Sequence, residues 1–324
     1  MGTVVLGTGS CMPEKVLTNK ELESFVDTSD DWIRSRTGIE SRCMAGKGEQ
    51  TYQLSAEAAN RALASAGVAP EELGLVVVGT ISSHMLMPSS ACFVQKEIGA
   101  SNAFAYDLNA ACSGFLYGMD LADKYIQADN NMKVLVIGAE TLTGRLNWED
   151  RNTCILFGDG AGAAVFGHSD SDRGVVGSRL RSDGRLWDLL HMHTAHPTNP
   201  DLIVEDNPGA HIVMEGREVF KHAVRAMEDS VRGLLEQEGV SLESVNLVIP
   251  HQANIRIINK LIDRLEVPRS KVFINVYKYG NTSAASIPIA LDEANSGGLI
   301  AEGDTVLFCA FGGGFTWGAT LIKW

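Results

Sequence analysis

The amino-acid sequence predicts an α/β protein made of two similar halves, each a sheet covered by helices. Its 324 residues exceed the usual size of one domain, so two units are expected. Short β-branched runs alternate with helical patterns such as residues 55–66 and 217–238, which is typical of α/β units around mostly parallel sheets. The same order of elements also occurs twice along the chain, which indicates a duplicated fold.

The duplication is visible in three pairs of segments. In each pair the two members have similar apolar patterns, and the second follows the first by 172, 169 and 172 residues respectively. The pairs are 75–78 with 247–249, 104–108 with 273–277, and 133–137 with 305–309. This nearly constant spacing predicts one unit in residues 1–170 and a second, similar unit in residues 171–324.

The predicted strands are apolar along their whole length. Residues 75–78 read Leu-Val-Val-Val and residues 134–137 read Val-Leu-Val-Ile, with no alternation of polar and apolar side chains. Such strands are typical of sheets with both faces covered. The sequence therefore predicts a layered sandwich, with helices outside the two sheets and between them.

Composition and charge exclude several classes of function. The formal net charge of −13 would repel phosphate backbones and anionic lipids, so neither nucleic acid nor a membrane is the expected main partner. No run reaches the roughly 18 apolar residues of a membrane span, and the first residues do not resemble a signal peptide. The six cysteines form no Cys-x-x-Cys pair, which argues against a disulfide framework and a zinc ribbon. We expect a cytoplasmic protein.

Cys112 is the first candidate for chemistry. It lies between the end of the predicted strand 104–108 and the start of the helix pattern 113–126. A helix N-terminus favours the thiolate over the thiol, so we expect a lowered pKa and a nucleophilic sulfur. The corresponding turn of the second half carries Asn281, and we expect both side chains to face one shared cleft. The alternative is that Cys112 is a buried small residue, the usual fate of cysteine.

His251 is the second candidate, because it directly follows the apolar run 247–250. Ligand-binding groups in α/β sheets commonly stand where a buried strand ends. The other histidines lack this setting. The spacing of His191, His193 and His196 resembles a metal site only superficially, since no acidic or cysteine ligands accompany it. We therefore predict no metal.

Two glycine-rich segments have different expected roles. The run 312–314 follows a buried strand, and its backbone N–H groups suit an oxyanion hole better than a phosphate loop, since no Gly-Lys-Ser/Thr follows. A tight turn is the alternative. Residues 157–162, Phe-Gly-Asp-Gly-Ala-Gly, lead into a strand-like segment instead of a helix, so they indicate a structural turn and not a dinucleotide site.

Taken together, these motifs resemble the β-ketoacyl-acyl-carrier-protein synthase III family over essentially the whole chain. The motifs are Asn-Ala-Ala-Cys-Ser-Gly at 109–114, Pro-His-Gln-Ala-Asn at 250–254, Gly-Asn-Thr-Ser-Ala-Ala-Ser at 280–286, Gly-Gly-Gly-Phe-Thr-Trp-Gly at 312–318, Asp-Trp-Ile-Arg-Ser-Arg-Thr-Gly-Ile at 31–39, and the segment 157–162. The resemblance implies a thiolase-like, duplicated five-layer αβαβα sandwich, in agreement with the repeat.

The resemblance also implies an acyltransferase activity and assigns roles to residues. Cys112 would accept an acyl group from acyl-CoA, with acetyl-CoA as the expected primer, while the backbone N–H groups of Cys112 and Gly313 hold the oxyanion. His251 and Asn281 would bind malonyl-acyl carrier protein and stabilise the enolate formed as carbon dioxide leaves. The product would be a 3-oxoacyl-acyl carrier protein, at the start of type II fatty acid biosynthesis. No cofactor or metal is implied.

Thiolases share this fold, and two positions distinguish them from this chain. A thiolase has a second catalytic cysteine two residues before its glycine triplet, where this sequence has Ala310. Cys309 lies one residue earlier and is expected to face the other side of its strand. Asn281 stands where a thiolase has histidine. Both departures point to decarboxylative condensation.

The resemblance further implies where the substrates bind. Coenzyme A would contact Trp32, Arg36, Thr37 and Arg151. The acidic carrier protein would dock on the helix pattern 254–265, whose Arg256, Lys260 and Arg264 form one basic stripe. Arg256 is the first candidate for this contact and Lys221 the second. A solvated helix face is the alternative for this stripe.

The resemblance places Leu142 and Met87 at the end of the primer pocket, with Met87 reaching the pocket of the partner subunit in a homodimer. Two other functions remain open from the sequence. One is a relative that condenses a different acyl-CoA or acceptor in secondary metabolism. The other is a non-catalytic binding protein on the thiolase fold, which the presence of Cys112, His251 and Asn281 disfavours. The identity of Leu142 and Met87 does not define the chain length of the primer.

Overall fold

The computed structural model describes residues 2–194 and 209–324. The strands are β1 Gly2–Cys11, β2 Val16–Thr18, β3 Ser41–Cys43, β4 Leu73–Gly79, β5 Phe104–Leu108, β6 Lys133–Thr141, β7 Asp159–Ser169, β8 Gly174–Ser182, β9 Leu190–Met192, β10 Ile212–Met214, β11 Leu247–Pro250, β12 Thr305–Gly312 and β13 Thr316–Lys323. The α-helices are α1 Asn19–Leu22, α2 Asp30–Thr37, α3 Thr51–Ala66, α4 Ser90–Ile98, α5 Gly114–Ala128, α6 Arg151–Cys154, α7 Gly216–Glu238, α8 Ile255–Leu265, α9 Val276–Tyr279 and α10 Ser286–Ser296.

Local signals explain where several helices begin and end. The hydroxyl of Ser89 accepts a hydrogen bond from the first turn of α4, and the side chain of Asn254 does the same for α8. Gly67, Gly99 and Gly239 follow α3, α4 and α7 in the left-handed conformation that a residue with a side chain rarely adopts. These caps place the helix ends within a few residues of the predicted patterns.

Two mixed sheets form the centre of the molecule. The first has the strand order β1-β7-β6-β4-β5, and the second has the order β11-β12-β13-β8. Parallel pairing is limited to β4 with β5 and β6, and to β11 with β12; the other neighbours are antiparallel. The prediction of mostly parallel sheets was therefore wrong. Residues 313–315 join β12 to β13, and so short a connection can link only antiparallel strands.

The layers follow the predicted sandwich. Helices α3 and α4 pack on the outer face of the first sheet, α7 and α8 pack on the outer face of the second, and α5 and α10 lie between the sheets. In β4, Val76 and Val78 belong to the outer core while Leu75 and Val77 belong to the inner one. The uniformly apolar strands thus have helices on both faces, and the five-layer thiolase-like sandwich is confirmed.

The internal duplication is confirmed for two of the three predicted segment pairs. Strands β4 and β11 correspond at an offset of 172 residues, as do β6 and β12. The pair at offset 169 was wrong, because residues 273–277 form no strand. Val272, just before this segment, forms an isolated β-bridge with Val248, and α9 begins at Val276. A fifth strand beside β11 is therefore missing from the part of the second sheet that the structure describes.

The same offset corrects the predicted equivalence of Cys112 and Asn281. Short 3₁₀ turns, Ala111–Ser113 and Ser283–Ala285, precede α5 and α10 at an offset of 172 residues. Ala111 and Ser283 open these turns with similar positive φ angles, 44° and 49°. Cys112 therefore corresponds to Ala284, and Asn281 does not occupy its equivalent place. The two residues share a cleft because the halves face each other, not because they are symmetry mates.

The two halves share one interior. The first sheet uses residues 2–169 and the second uses residues 174–323, yet the central apolar cluster combines side chains of both sheets with those of α5 and α10. The division at residue 170 stays a prediction. In residues 2–194 and 209–324, every helix is too short or too polar to cross a membrane.

Candidate active site

A cavity of about 1630 Å³ opens between the two halves. Cys112, His251 and Asn281 all contribute to its wall, together with Gly313 of the loop that joins β12 to β13. The first three come from a turn before α5, from the residue after β11 and from the segment before α10. The structure therefore brings the predicted catalytic residues together in one place.

Cys112 lies in the 3₁₀ turn before α5 and is buried. A Cβ atom on Gly312 would lie 2.6 Å from the backbone nitrogen of Cys112, so only glycine allows β12 to approach this closely. Burial raises the pKa of the Cys112 thiol to about 12, although the neighbouring side chain of Ser283 acts in the opposite direction. The prediction of a lowered pKa was wrong, because desolvation outweighs the hydrogen bonds that favour the thiolate.

His251 is buried directly after β11, and its backbone N–H donates to the carbonyl of Cys309 at 2.8 Å. Burial lowers the pKa of its imidazole to about 3, so the ring is neutral at pH 7. Nδ1 lies 2.7 Å from the hydroxyl oxygen of Ser286, and that oxygen also accepts the backbone N–H of Gln252 at 3.2 Å. The arrangement favours a Ser286 hydroxyl that donates to Nδ1, which leaves the ring proton on Nε2.

Asn281 is held by backbone and side-chain hydrogen bonds. Its N–H donates to the carbonyl of Leu156 at 2.8 Å, and its carbonyl accepts the N–H of Gly158 at 3.0 Å. Its side-chain Oδ1 accepts the backbone N–H of Ser283 at 2.9 Å. This contact assigns the amide orientation and leaves the NH₂ group available as a donor.

The glycine run at 312–314 connects β12 to β13 in a tight hairpin. Gly313 lines the cavity, and a Cβ atom on it would lie 2.9 Å from the carbonyl oxygen of Leu190. Gly314 has a φ of 133°, which favours glycine. The segment 157–162 was predicted as a structural turn, but residues 159–162 lie inside β7 and only Phe157 and Gly158 precede the strand. The oxyanion role of Cys112 and Gly313 stays a prediction.

Cys309 and Ala310 face opposite sides of β12, as predicted. Cys309 is fully buried in the outer core beside α7 and α8, where burial raises its pKa to about 12. Ala310 packs in the inner core between the sheets. Cys309 does not line the cavity that holds Cys112, so its thiol is not placed to act on the same substrate.

The four predicted coenzyme A residues lie near the mouth of the cavity. The guanidinium groups of Arg36 and Arg151 lie over the Trp32 ring, 4.8 and 4.9 Å from its centroid. Trp32, Arg36 and Thr37 line the cavity. Arg151 does not line it, and its guanidinium also donates to the carbonyl of Asp27 at 3.0 Å. The Thr37 hydroxyl donates to the carbonyl of Ile33 at 2.7 Å, so it is already used to close α2. Their role toward coenzyme A stays a prediction.

The predicted docking residues are exposed, but they differ in their partners. Arg264 pairs with Glu228 at 2.5 Å and Lys221 pairs with Glu218 at 2.6 Å. Arg256 and Lys260 make no ion pair within residues 2–194 and 209–324. Of the four, Arg256 and Lys221 line the cavity, which makes them the ones beside the entrance.

The two predicted primer-pocket residues are separated. Leu142 is fully buried and lines the cavity. Met87 is 85% exposed and does not line it, although the preceding Met85 and Leu86 do. A single chain therefore does not bring Met87 to its own site, and its predicted contact with a partner subunit stays a prediction.

Several residues of the site were missed from the sequence. Arg217, at the start of α7, lines the cavity entrance, and Ser283 and Ser286 hold Asn281 and His251 in place. The serines belong to the quoted motif 280–286, which was the available signal. Arg217 had no motif to identify it, because its proximity to the entrance depends on the packing of α7.

A metal centre is not supported within the described residues. No group of three or more His, Cys, Asp or Glu side chains there is arranged to hold a metal ion. His191 and His193 make an edge-on ring contact, with centroids 5.1 Å apart. The third residue of that spacing, His196, lies outside the described residues.

Comparisons with known proteins identify the family. Residues 106–184 match the model for 3-oxoacyl-[acyl-carrier-protein (ACP)] synthase III, and residues 235–324 match the model for its C-terminal part. The chain is 59% identical over 324 residues to the β-ketoacyl-[acyl-carrier-protein] synthase III of Desulfotalea psychrophila (strain LSv54 / DSM 12343), with all of both chains covered.

Solved structures agree with these matches. The 3-oxoacyl-[acyl-carrier-protein] synthase III from Aquifex aeolicus VF5 has a TM-score of 0.93 and 49% identity, and the match covers 100% of both chains. The priming β-ketosynthase from a polyketide biosynthetic pathway has a TM-score of 0.91 and 37% identity, covering 99% of this chain and 96% of that one. The chain therefore belongs to the β-ketoacyl-[acyl-carrier-protein] synthase III family of condensing enzymes.

Proposed function

We propose that this acyltransferase joins an acyl-CoA primer, with acetyl-CoA expected, to malonyl-acyl carrier protein by decarboxylative Claisen condensation. The products are a 3-oxoacyl-acyl carrier protein, coenzyme A and carbon dioxide, and the reaction initiates type II fatty acid biosynthesis. The observation that carries the proposal is the meeting of Cys112, His251 and Asn281 in one cavity of a chain from this family.

In the first step the sulfur of Cys112 attacks the thioester carbonyl of the primer. The new S–C bond forms as the bond to the coenzyme A sulfur breaks, and the proton of Cys112 leaves with coenzyme A as its thiol. Because the Cys112 pKa is raised to about 12, little thiolate exists before substrate binds. The backbone N–H groups of Cys112 and Gly313 would then stabilise the developing oxyanion.

In the second step the malonyl group loses carbon dioxide and the electron pair remains on its α-carbon. The Nε2 proton of His251 and the NH₂ group of Asn281 are neutral donors suited to the enolate oxygen. The carbanion then attacks the acyl carbonyl on Cys112, a C–C bond forms as the C–S bond breaks, and the released thiolate takes up a proton from solvent to restore the thiol. A carboxylate at either donor position would oppose the negative charge.

The entrance to the cavity suits acidic substrates. Although the chain has a net charge of −13, Arg36, Arg217, Lys221 and Arg256 all line this opening. Phosphate groups of coenzyme A and an acidic carrier protein would both be attracted to such a local basic surface. We therefore propose both as partners, and we propose no metal or cofactor for the reaction.

Neither alternative function is favoured. A relative that works in secondary metabolism would use the same three residues, but the greater identity is to a β-ketoacyl-[acyl-carrier-protein] synthase III, 59% against 37% for the polyketide priming enzyme. A non-catalytic binding protein would have no need for a thiol, an imidazole and an amide directed into one cavity.

Intact-protein mass spectrometry after incubation with acetyl-CoA tests the first step. We expect one acetyl group on the wild-type chain and on a Cys309→Ala variant, and none on Cys112→Ala. Acetylation that survives Cys112→Ala would contradict the covalent mechanism.

Turnover with malonyl-acyl carrier protein tests the complete reaction. Acetyl-, isobutyryl- and octanoyl-CoA are compared as primers, and we expect acetyl-CoA to give 3-oxoacyl-acyl carrier protein fastest. Failure with all three primers, on a chain that does acetylate Cys112, would point to another acceptor.

A further inference from the structure

A fully buried carboxylate stands directly behind the active site. Glu140 is the penultimate residue of β6, has no exposed surface and does not line the cavity. A buried acid is costly unless it is well hydrogen-bonded, so its contacts are informative. The reaction proposed above assigns it no role.

Glu140 accepts hydrogen bonds from both halves of the molecule. From the end of β4, Thr80 donates its hydroxyl at 3.2 Å, Ile81 its backbone N–H at 3.2 Å, and Ser82 its hydroxyl at 2.5 Å. From the other half, the hydroxyl of Ser283 donates at 3.2 Å. The carboxylate thus connects the strand end of one half to the turn that precedes α10 in the other.

Ser283 is the member of this set that reaches the reacting groups. It lines the cavity, and its backbone N–H holds Oδ1 of Asn281 at 2.9 Å. Its φ of 49° is unusual for a residue with a side chain, so the surrounding contacts must maintain it. The Ser283–Glu140 hydrogen bond is a side-chain contact that can do so, because Glu140 is itself held by three other donors.

We propose that Glu140 is a positioning residue for decarboxylation, acting through Ser283 to direct the amide NH₂ group of Asn281 into the cavity. The inference rests on the proposed function. Without the hydrogen bond to Glu140, the backbone at Ser283 can relax and the side chain of Asn281 loses its fixed orientation. A donor displaced by about 1 Å can cost on the order of 100-fold in rate.

Single-turnover kinetics separate the two steps of the reaction. The first measurement is the rate of Cys112 acetylation by acetyl-CoA, followed by intact mass. The second is the rate at which preformed acetyl-enzyme is consumed by malonyl-acyl carrier protein. For Glu140→Gln we expect the second rate to fall about 10- to 100-fold and the first by no more than about threefold.

A double-mutant cycle with Ser283→Ala tests the route of the effect. Ser283→Ala keeps the backbone N–H but removes the hydroxyl that Glu140 holds. If Glu140 acts through Ser283, the double variant should condense no more slowly than the slower single variant. Asp123→Asn is the matched control, since Asp123 is a buried acid on α5 with partners Lys124 and Gln127, and both rates should be unchanged.

The possible outcomes are distinct. Equal loss of both steps, or multiplicative losses in the double variant, would overturn the positioning role. If Glu140→Gln does not fold, Glu140→Asp keeps a carboxyl group but withdraws it from Ser283, and the same selective loss of condensation is expected. A wild-type chain that neither acetylates nor condenses would instead contradict the proposed function itself.

Discussion

At the scale of single residues, burial determines the chemistry of the site more than position in the sequence does. Cys112 and His251 are both kept neutral by desolvation, the thiol with a pKa near 12 and the imidazole with a pKa near 3. Neutral hydrogen-bond donors suit an enolate. A protonated His251 ring would instead carry the free-energy cost of burying a charge. The sequence predicted that both residues follow strand ends. It did not predict the direction of the pKa shift at Cys112.

The neutral state of His251 predicts a pH-dependent stability. Its folded pKa is about 3 and its ordinary value is 6.5, so the unfolded chain binds the proton more readily and stability falls as the pH drops below about 6.5. Between pH 7 and pH 5 this group should cost about 2 kcal/mol. Denaturant unfolding of the wild type and of His251→Gln at both pH values measures it, and we expect the variant to lose less stability. Identical pH dependence would show that the pKa of His251 is the same in the folded and the unfolded chain.

Gly312 predicts a second residue-scale effect. A Cβ atom there would lie 2.6 Å from the backbone nitrogen of Cys112, so Gly312→Ala must displace either β12 or the nucleophile. We expect the rate of Cys112 acetylation to fall on the order of 100-fold. Gly184→Ala is the matched control, because a Cβ atom on Gly184 meets nothing within 4 Å. An unchanged rate for Gly312→Ala would show that the turn carrying Cys112 can shift without affecting acetylation.

At the scale of elements, α8 combines an apolar face with a basic one. Ile257, Ile258 and Leu261 are buried, while Arg256 and Lys260 are exposed. The predicted helix pattern 254–265 is confirmed, with Asn254 as its N-cap. Only the tertiary structure distinguishes the members of the basic stripe, because, in the part of the chain that the structure describes, Arg264 alone of them forms an ion pair, with Glu228 of α7, which it shares with Arg232.

This difference predicts unequal roles in carrier-protein binding. Arg256→Ala should raise the KM for malonyl-acyl carrier protein about fivefold at low salt, because losing one charge contact costs roughly 1 kcal/mol of binding free energy. We expect kcat to change little. Arg264→Ala should have a smaller effect, since its guanidinium is engaged with Glu228. The difference should shrink at high salt because screening weakens exposed pairs. An equal KM increase for both variants would contradict the assignment of Arg256 to the entrance.

At the scale of the whole molecule, an exposed apolar surface supports the expected homodimer. Leu86 is 92% exposed and Met87 is 85% exposed, and β5 is an open edge of the first sheet, with Phe104 also exposed. Large exposed apolar side chains and unpaired strand edges commonly mark sites of association. A partner on this side would also give Met87 a pocket to enter.

We therefore expect light scattering to give twice the 34.8 kDa mass of one chain. Phe104→Lys should shift the population toward the monomer, since it adds a charge at the open edge of the sheet. Leu299→Lys is the matched control, because Leu299 is also exposed but lies at the end of α10. A wild-type monomer, or dissociation by Leu299→Lys alone, would contradict an interface at β5.

By itself the sequence determined the duplicated α/β sandwich, its uniformly apolar strands, and Cys112, His251 and Asn281 as the candidate site. These features depend on local apolar patterns and on short motifs, both of which are contained in the order of residues along the chain. The mixed strand directions, the correspondence of Cys112 with Ala284, the raised thiol pKa and the Glu140–Ser283 contact were decided only by the tertiary structure. The strand directions depend on which strands pair within each sheet. The thiol pKa and the Glu140–Ser283 contact depend on which segments meet across the two halves and on how much water they exclude. Tertiary packing determines both, and local sequence does not.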